Sequence, residues 1–320
     1  MGSLPGAARG RILNKVADLI ERDGEILARL EALDVGKPVG QPTMLDIPMA
    51  AGTFRHFAGW ADKITGQSIP TAGYFGQPTH SYTVREPVGV IGAIVPWNTP
   101  LMISAWKIAP ALAAGNTLVV KPPEDAPLSI LHLATLLEEA GLPAGTVNIV
   151  PGLGEVAGDA LAGHPRRRQD QLHRQPPRRP DHRQARRRHV QAHHPRTRRQ
   201  VPADHPPRRR PRGRHQRHRD GTVLQPGRGL RRGTRILVHR SLYSQVVDGL
   251  AAAAAAQVLG DPFDPATTMG ALVNAKQRDT VLGYIEAGRS EGARVAAGGG
   301  VRTGTGSSSS RPSSRTRTTT

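Results

Sequence analysis

Short apolar runs that alternate with longer amphipathic segments, between residues 88 and 150, constrain the fold of this chain more than any other feature. The strand-like runs are VGVIGAIV (88–95), NTLVVK (116–121) and TVNIV (146–150). The segments between them, 101–115 and 127–141, have helical spacing. Strands that alternate with helices in this way pair in parallel and are covered by the helices. The pattern predicts an α/β fold whose ligand lies at the carboxyl ends of the strands.

The rest of the first half is also typical of a globular domain. Apolar residues recur every three or four positions from Ile12 to Leu33, which predicts two amphipathic helices that end before Gly36. Globular patterning stops at Pro165, returns at Gly233, and stops again after Val301. In the later part, the sequence predicts a strand at 234–240, a helix at 242–259, and a helix followed by a loop at 274–295.

The stretch between these two globular parts carries the whole net charge of the chain. Residues 165–232 hold 23 Arg, no Lys and four Asp, which gives +19, and +19 is also the formal charge of all 320 residues. The stretch has no Phe, Trp or Tyr and no apolar periodicity, so it cannot bury enough surface to offset the entropy of ordering. Disorder is therefore expected there and in the tail at 302–320.

Composition excludes several kinds of site. The chain has no cysteine, which rules out disulfides, thiolate metal sites and a thiol nucleophile. The eight His of residues 165–232 have no metal-site spacing, so no metal is expected. No apolar run reaches membrane-spanning length and the N-terminus lacks a signal-peptide pattern. These features favour a cytoplasmic protein without membrane contact.

The segment PVGVIGAIVPWNTP…VVKPPE…TVNIVPGLGEVAG (87–158) closely resembles the cofactor-binding region of NAD(P)-dependent aldehyde dehydrogenases. The flank LARLEALDVGKP (27–38) resembles that family's N-terminal helices. The resemblance implies an incomplete aldehyde dehydrogenase fold with a Rossmann-like parallel sheet. Its domains would be the N-terminal helices and NAD(P)-binding domain (1–164), an aberrant basic segment (165–232), the beginning of the catalytic domain (233–301) and an aberrant tail (302–320).

The family resemblance also implies a reaction. Members oxidise an aldehyde to a carboxylic acid and reduce NAD(P)+, through thiolate attack, hydride transfer and thioester hydrolysis. A tetrahedral oxyanion forms twice, so a fixed hydrogen-bond donor aimed at it is worth several kcal/mol. Asn98 in PWN matches the position of that donor. Taken alone, an Asn before a helix is as well explained by a turn.

The cofactor positions follow from the same resemblance. The matching residues are Pro96 and Trp97 at the corner beside the cofactor, Lys121 and Glu124 at the adenosine ribose, and Gly154 and Gly158 beside the pyrophosphate. In isolation the charged pair would be ordinary solvated loop residues and the two glycines a tight turn. The resemblance favours NAD as cofactor, with NADP possible, because Glu124 suits a free ribose hydroxyl.

The family's nucleophilic Cys, its general-base Glu and its Phe-Thr-Gly-Ser motif are missing, but a shift of one base restores all three. RRQDQLHRQ (167–175) can be encoded so that the next frame reads Val-Asp-Lys-Ile-Ser-Phe-Thr-Gly-Ser. HHPRTRRQVP (193–202) likewise becomes Thr-Thr-Leu-Glu-Leu-Gly-Gly-Lys-Ser-Pro, with the Glu codon overlapping that of Arg196. LQPGRGLRR (224–232) becomes Phe-Asn-Gln-Gly-Glu-Val-Cys-Ala-Ala, with the Cys codon straddling Leu230 and Arg231. The motifs arise in family order and in one frame, which favours an out-of-frame origin for 165–232 and for the tail.

We therefore predict a chain of aldehyde dehydrogenase descent that lacks the nucleophile and the base, has no activity and folds poorly because a sheet edge is left open. Two alternatives are a non-catalytic remnant that binds nucleotide and a basic protein that binds nucleic acid. The absence of Lys and of stacking aromatics in 165–232 disfavours the second. The resemblance implies a small-molecule aldehyde as substrate and a homo-oligomer for the family, but the family's C-terminal assembly region is not among the matching segments.

Overall fold

The computed structural model describes residues 1–164, 169–172, 203–205, 236–303 and 316–318. The chain forms two compact units. The first comprises residues 1–27, 45–96 and 100–195, and the second residues 28–44, 97–99 and 196–320. Two short segments of the N-terminal half, residues 28–44 and 97–99, therefore group with the later part of the chain. The domain boundaries expected from the sequence, near 164 and 232, lie next to or within undescribed stretches and stay predictions.

A parallel sheet of four strands organises the first unit. The strands are β3 (Val90–Ile94), β4 (Thr117–Lys121), β5 (Val147–Ile149) and β6 (Gln169–Leu172), in the order β5-β4-β3-β6. An antiparallel pair, β1 (Ser68–Ile69) and β2 (Ser81–Tyr82), precedes them. Ile91, Ala93, Leu118 and Val120 share one face of the sheet and are almost completely buried, as expected for a face that helices cover. The predicted parallel sheet is confirmed.

Four long helices pack in the described part of this unit, and three of them agree with the sequence pattern. They are α1 (Gly6–Arg22), α3 (Ile47–Ala58), α4 (Pro100–Ala113) and α5 (Leu128–Glu139). Helix α2 (Gly24–Val35), which also agrees with the sequence pattern, begins in this unit and belongs mainly to the second. Helix α4 packs on β4 and α5 on β5, while α3 lies against α1 and α4. Helix α3 was not predicted, although Ile47, Ala50 and Phe54 bury one face at helical spacing. A further short helix, α6 (Asp159–Gly163), follows β5.

A cluster of charged side chains ties the end of α1 to α5. The Arg22 guanidinium donates to Asp23 Oδ1 at 2.7 Å and to both carboxylate oxygens of Glu139, at 2.5 and 2.9 Å. The other oxygen of Asp23 lies 2.8 Å from His132 Nε2. The hydrogen bond from Arg22 holds the pKa of Asp23 below its usual range, aided by His132 and opposed by partial burial. Asp23 therefore carries its negative charge more readily in the folded chain than in the unfolded one.

This shift predicts how Asp23 affects stability as the pH changes. A carboxyl with a lowered pKa stabilises the fold above its unfolded pKa, about 3.9, and that contribution is lost as the pH falls through the folded pKa. We expect Asp23→Asn to lower the free energy of unfolding at pH 7 and to lower it by less at pH 3. Urea unfolding at the two pH values measures this, with Glu25→Gln as a control at an exposed carboxylate. An equal destabilisation at both pH values would contradict the assignment.

The second unit contains most of α2 and the later globular part. Its elements are β7 (Ala203–His205), β8 (Ile236–Val238), α7 (Tyr243–Ala255), α8 (Ala275–Ser290), β9 (Val301–Thr303) and β10 (Thr316–Thr318). The predicted strand near 236 and the two helices after it are confirmed. The turn after α2 packs tightly, since Gly36 has a φ of 77° and a Cβ there would lie 2.6 Å from the Ala271 carbonyl oxygen. The Val39 amide also donates to the Pro262 carbonyl at 2.8 Å.

Three short stretches of the basic segment and the tail, where disorder is expected, form strands. Gln169–Leu172 forms β6, which pairs in parallel with β3, and Ala203–His205 pairs with β8. In the tail, Thr316–Thr318 pairs antiparallel with Val301–Thr303. The edge of β3 presents a row of amide and carbonyl groups that an extended chain of almost any composition can satisfy. The sheet edge expected to be open is therefore occupied. The rest of these two segments lies outside the described residues.

Candidate nucleotide site

The loops that follow β3, β4 and β5 all leave the same edge of the sheet, because the strands are parallel. Ile94 pairs with Lys121 and Val120 pairs with Ile149, so the three strands end at nearly the same level. The Val95 amide continues the ladder by donating to the Lys121 carbonyl at 3.0 Å. The carboxyl edge of a parallel sheet is where such folds bind ligands. Four of the predicted cofactor residues lie at these strand ends or within five residues after them: Pro96, Lys121, Glu124 and Gly154.

Lys121 and Glu124 form a pair at the end of β4. Lys121 is the last residue of the strand and its side chain is only 5% exposed, whereas the side chain of Glu124 is 36% exposed. The Lys121 Nζ lies 3.6 Å from Glu124 Oε1. A lysine with so little solvent around it is stabilised by a nearby carboxylate. The Glu124 carboxylate is therefore accessible to solvent, and the buried ammonium group of Lys121 lies beside it.

Glu124 also contacts the loop that follows β5. The backbone amide of Gly154 donates a hydrogen bond to Glu124 Oε1. The two residues are thirty positions apart in the chain, so the sheet brings them together. Lys121, Glu124 and Gly154 therefore form one polar cluster. It joins the pair predicted at the ribose to one of the two glycines predicted beside the pyrophosphate.

The turn of Gly154–Gly158 leads into α6. The Leu153 carbonyl accepts from the amides of Val156, Ala157 and Gly158, at 3.2, 2.9 and 3.4 Å, which makes a wide first turn. Gly158 is buried, but a Cβ there would lie 4.0 Å from Ile94 Cδ1, an ordinary contact distance. The fold alone therefore does not require glycine at 158.

A different residue in this loop needs to be glycine. Gly152 has a φ of 151° and a Cβ there would lie 3.0 Å from the Ala157 side chain. A side chain at 152 would be strained in that conformation. Gly152 was not among the predicted site residues, although the Pro-Gly dipeptide at 151–152 is a typical turn signal.

Pro96, Trp97 and Asn98 follow β3 and are partly buried. Pro96 belongs to the first unit, whereas Trp97–Thr99 group with the second. Asn98 as oxyanion donor and Trp97 as part of the cofactor corner stay predictions. The positions at which the frame-shifted reading puts the nucleophile and the base, around Leu230 and Arg196, lie outside the described residues.

Among the described residues, no group of three or more His, Asp or Glu side chains could hold a metal ion. Within the same part of the chain, no helix is both long enough and apolar enough to cross a bilayer.

Comparison with known proteins identifies the family. The profile of the "Aldehyde dehydrogenase family" matches residues 1–169 and 222–310, which is well over half of the chain. The chain belongs to the aldehyde dehydrogenase family. The family match leaves out residues 170–221, most of the basic segment.

Curated members of the aldehyde dehydrogenase family resemble this chain along nearly its whole length. The chain is 38% identical over 294 residues to the putative aldehyde dehydrogenase DhaS of Bacillus subtilis, and the match covers 92% of this chain and 58% of that protein. It is 39% identical to retinal dehydrogenase 2 of Homo sapiens, over 92% of this chain and 57% of that protein. The chain thus spans a little more than half the length of these relatives.

Solved aldehyde dehydrogenases share the fold. The NAD+ complex of an aldehyde dehydrogenase from Bacillus cereus superposes with a TM-score of 0.91 at 38% identity, over 95% of this chain and 61% of that one. PnpE in complex with nicotinamide adenine dinucleotide gives a TM-score of 0.90 at 37% identity, over 95% and 62%. The aldehyde dehydrogenase fold predicted from the sequence is confirmed.

Proposed function

We propose that the first unit is the nucleotide-binding part of an NAD+-dependent aldehyde dehydrogenase. The observation that carries the proposal is the cluster of Lys121, Glu124 and Gly154 at the carboxyl edge of the sheet. Family members whose structures resemble this chain were solved with NAD+ bound. When bound, the nicotinamide of NAD+ accepts a hydride from the substrate. The residues described here would bind and orient the other end of the dinucleotide.

The chemistry of the cluster fits a ribose. A carboxylate accepts hydrogen bonds from hydroxyl groups, and an ammonium group donates to their oxygens. Glu124 is accessible to solvent and Lys121 lies beside it, so a diol could bind both side chains at once. A 2′-phosphate would instead meet the negative charge of Glu124. The cluster therefore supports NAD+ rather than NADP+ as the cofactor. Family membership supports a small-molecule aldehyde as the substrate.

The chain as written would not complete the reaction. Family chemistry needs a thiolate nucleophile, and no residue of the 320 is a cysteine. Serine and threonine hydroxyls are much weaker nucleophiles unless a base activates them. We propose that this chain keeps nucleotide binding and lacks aldehyde oxidation.

The absence of the nucleophilic Cys and the general-base Glu is explained if residues 165–232, and the tail after Val301, are read out of frame. The family profile supports this proposal, because it matches on both sides of residues 170–221 and not within them. The nucleotide sequence of the gene tests it directly. In the neighbouring frame, the bases that encode Leu230 and Arg231 should spell a cysteine codon. Any other codon there would mean that the basic segment is genuine, and nucleic-acid binding would become the leading hypothesis for it.

Nucleotide binding can be measured in the full chain by calorimetry. We expect NAD+ to bind, and Lys121→Met to weaken binding about tenfold, because a hydrogen bond to a charged group contributes about 1.5 kcal/mol. Lys63→Met is the matched control, since Lys63 is 62% exposed and lies far along the chain from the cluster. No heat at millimolar NAD+, or an equal loss in both variants, would contradict the proposed site.

A further inference from the structure

Glu124 has a structural partner that the proposed ribose contact does not involve. Its Oε1 accepts the Gly154 amide and also lies 3.6 Å from the Lys121 Nζ. One carboxylate oxygen thus joins the end of β4 to the loop after β5. Because Lys121 is buried and closes a strand, it provides a fixed positive charge beside that oxygen.

The turn that begins at Gly154 has no cap of its own. The preceding residue, Leu153, occupies the N-cap position and its side chain has no hydrogen-bond acceptor. The Leu153 carbonyl already accepts hydrogen bonds from the amides of Val156, Ala157 and Gly158. Helix termini leave their first amides without intrahelical partners, and acidic or hydroxyl side chains usually satisfy them. Here the acceptor for the Gly154 amide comes from a residue in another loop.

We propose that Glu124 is a positioning residue that caps the Gly154 turn from the neighbouring loop before any nucleotide binds. The inference rests on the proposed function, since it adds a second role to a residue assigned there to the ribose. A carboxylate is favoured at this position because the amino end of a helical segment carries a partial positive charge. Lys121 keeps the carboxylate in place. The nucleotide would then meet a loop that is already ordered, which lowers the entropy cost of binding.

The two proposed roles of the Glu124 carboxylate, ribose contact and cap, predict different effects of substitution. A ribose contact exists only when nucleotide is bound, whereas a cap acts in the free protein. Glutamine keeps an oxygen that can accept the Gly154 amide but loses the charge. Glu124→Gln should therefore preserve most of the cap and lose much of the nucleotide affinity, and Glu124→Ala should lose both.

Hydrogen exchange of the free, full-length chain tests the cap without any nucleotide. We expect the amides of residues 154–158 to exchange about fivefold faster in Glu124→Ala, as for the loss of a helix cap, and about twofold faster in Glu124→Gln. Glu138→Ala, at an exposed carboxylate of α5, is the matched control and should leave these amides unchanged. Exchange in α1 should be the same in all four proteins, which shows that the fold is intact.

Calorimetry with NAD+ on the same proteins separates the two proposals. Unchanged exchange at 154–158 in Glu124→Ala would overturn the cap, even if NAD+ affinity falls. Faster exchange together with weaker NAD+ binding in both Glu124 variants supports both roles. If the unsubstituted protein binds no NAD+ while Glu124→Ala still exchanges faster, the proposed function fails and the cap itself stands. Faster exchange with unchanged NAD+ affinity would overturn the claim that the cap assists binding.

Discussion

Protein made from the sequence as written is expected to form no NADH from NAD+ with any aldehyde. Protein from a gene restored to the neighbouring frame over 165–232 and after residue 301, and translated to the next stop codon, is expected to do so. The difference should be on the order of a millionfold in turnover, which is the loss found when a covalent enzyme loses its nucleophile. The physical reason is that the restored frame supplies the thiolate and the general base together. Absorbance of NADH with a panel of aldehydes measures the effect.

The matched control for this experiment is the restored gene in which only the cysteine codon across Leu230 and Arg231 is changed to encode alanine. It has the same fold and cofactor site as the restored protein, so any difference between them belongs to the thiol. We expect it to bind NAD+ and to be as inactive as the original chain. NADH formation by the original, cysteine-free protein would contradict both the mechanism and the proposed origin of the basic segment.

Replacement of Lys37 by methionine is expected to lower the free energy of unfolding by about 3–5 kcal/mol. The Lys37 Nζ lies 2.6 Å from Glu31 Oε2, and the two side chains are 2% and 0% exposed. In Lys37→Met the carboxylate of Glu31 stays buried without its cation, which costs far more than the loss of the ion pair alone. Urea unfolding of the full chain, followed by circular dichroism, measures the change.

Two further variants separate a buried charge from lost packing. The double variant Glu31→Leu, Lys37→Met removes both charges and should lie within about 1.5 kcal/mol of the unsubstituted protein. Lys63→Met breaks the ion pair between Lys63 and Asp62, whose side chains are 62% and 50% exposed, respectively. This substitution should lower the free energy of unfolding by less than about 1 kcal/mol. A double variant as unstable as Lys37→Met would show that shape, rather than charge, makes Lys37 important.

Most elements of the fold could be predicted because their signals are local. The apolar run at 88–95 predicts a buried strand, and β3 lies there. The helical pattern at 127–141 ends at a glycine, and α5 lies there. Both signals depend only on residues that are neighbours in the sequence. Helix α3 was missed because small residues such as Ala50 and Ala51 give a weak apolar stripe. Strand β6 could not be predicted from Gln169–Leu172, since its side chains have no strand pattern and its pairing depends on the free edge of β3.

Only part of the candidate site could be predicted. Lys121 and Glu124 were found through family resemblance, since single charged residues in a loop carry no specific signal of their own. Gly152 was overlooked, because its importance depends on a φ of 151°, which composition does not indicate. Asn98 and the two missing catalytic positions stay predictions.

By itself, the sequence determined the parallel sheet, its covering helices and the family, because apolar periodicity and contiguous motifs are written along the chain. Only the tertiary structure decided that the carboxylate of Glu124 reaches the amide of Gly154, that Lys37 is buried against Glu31, and that a basic stretch supplies an edge strand. Such contacts depend on distance in space, and a backbone hydrogen bond does not depend on the side chain of the residue that makes it.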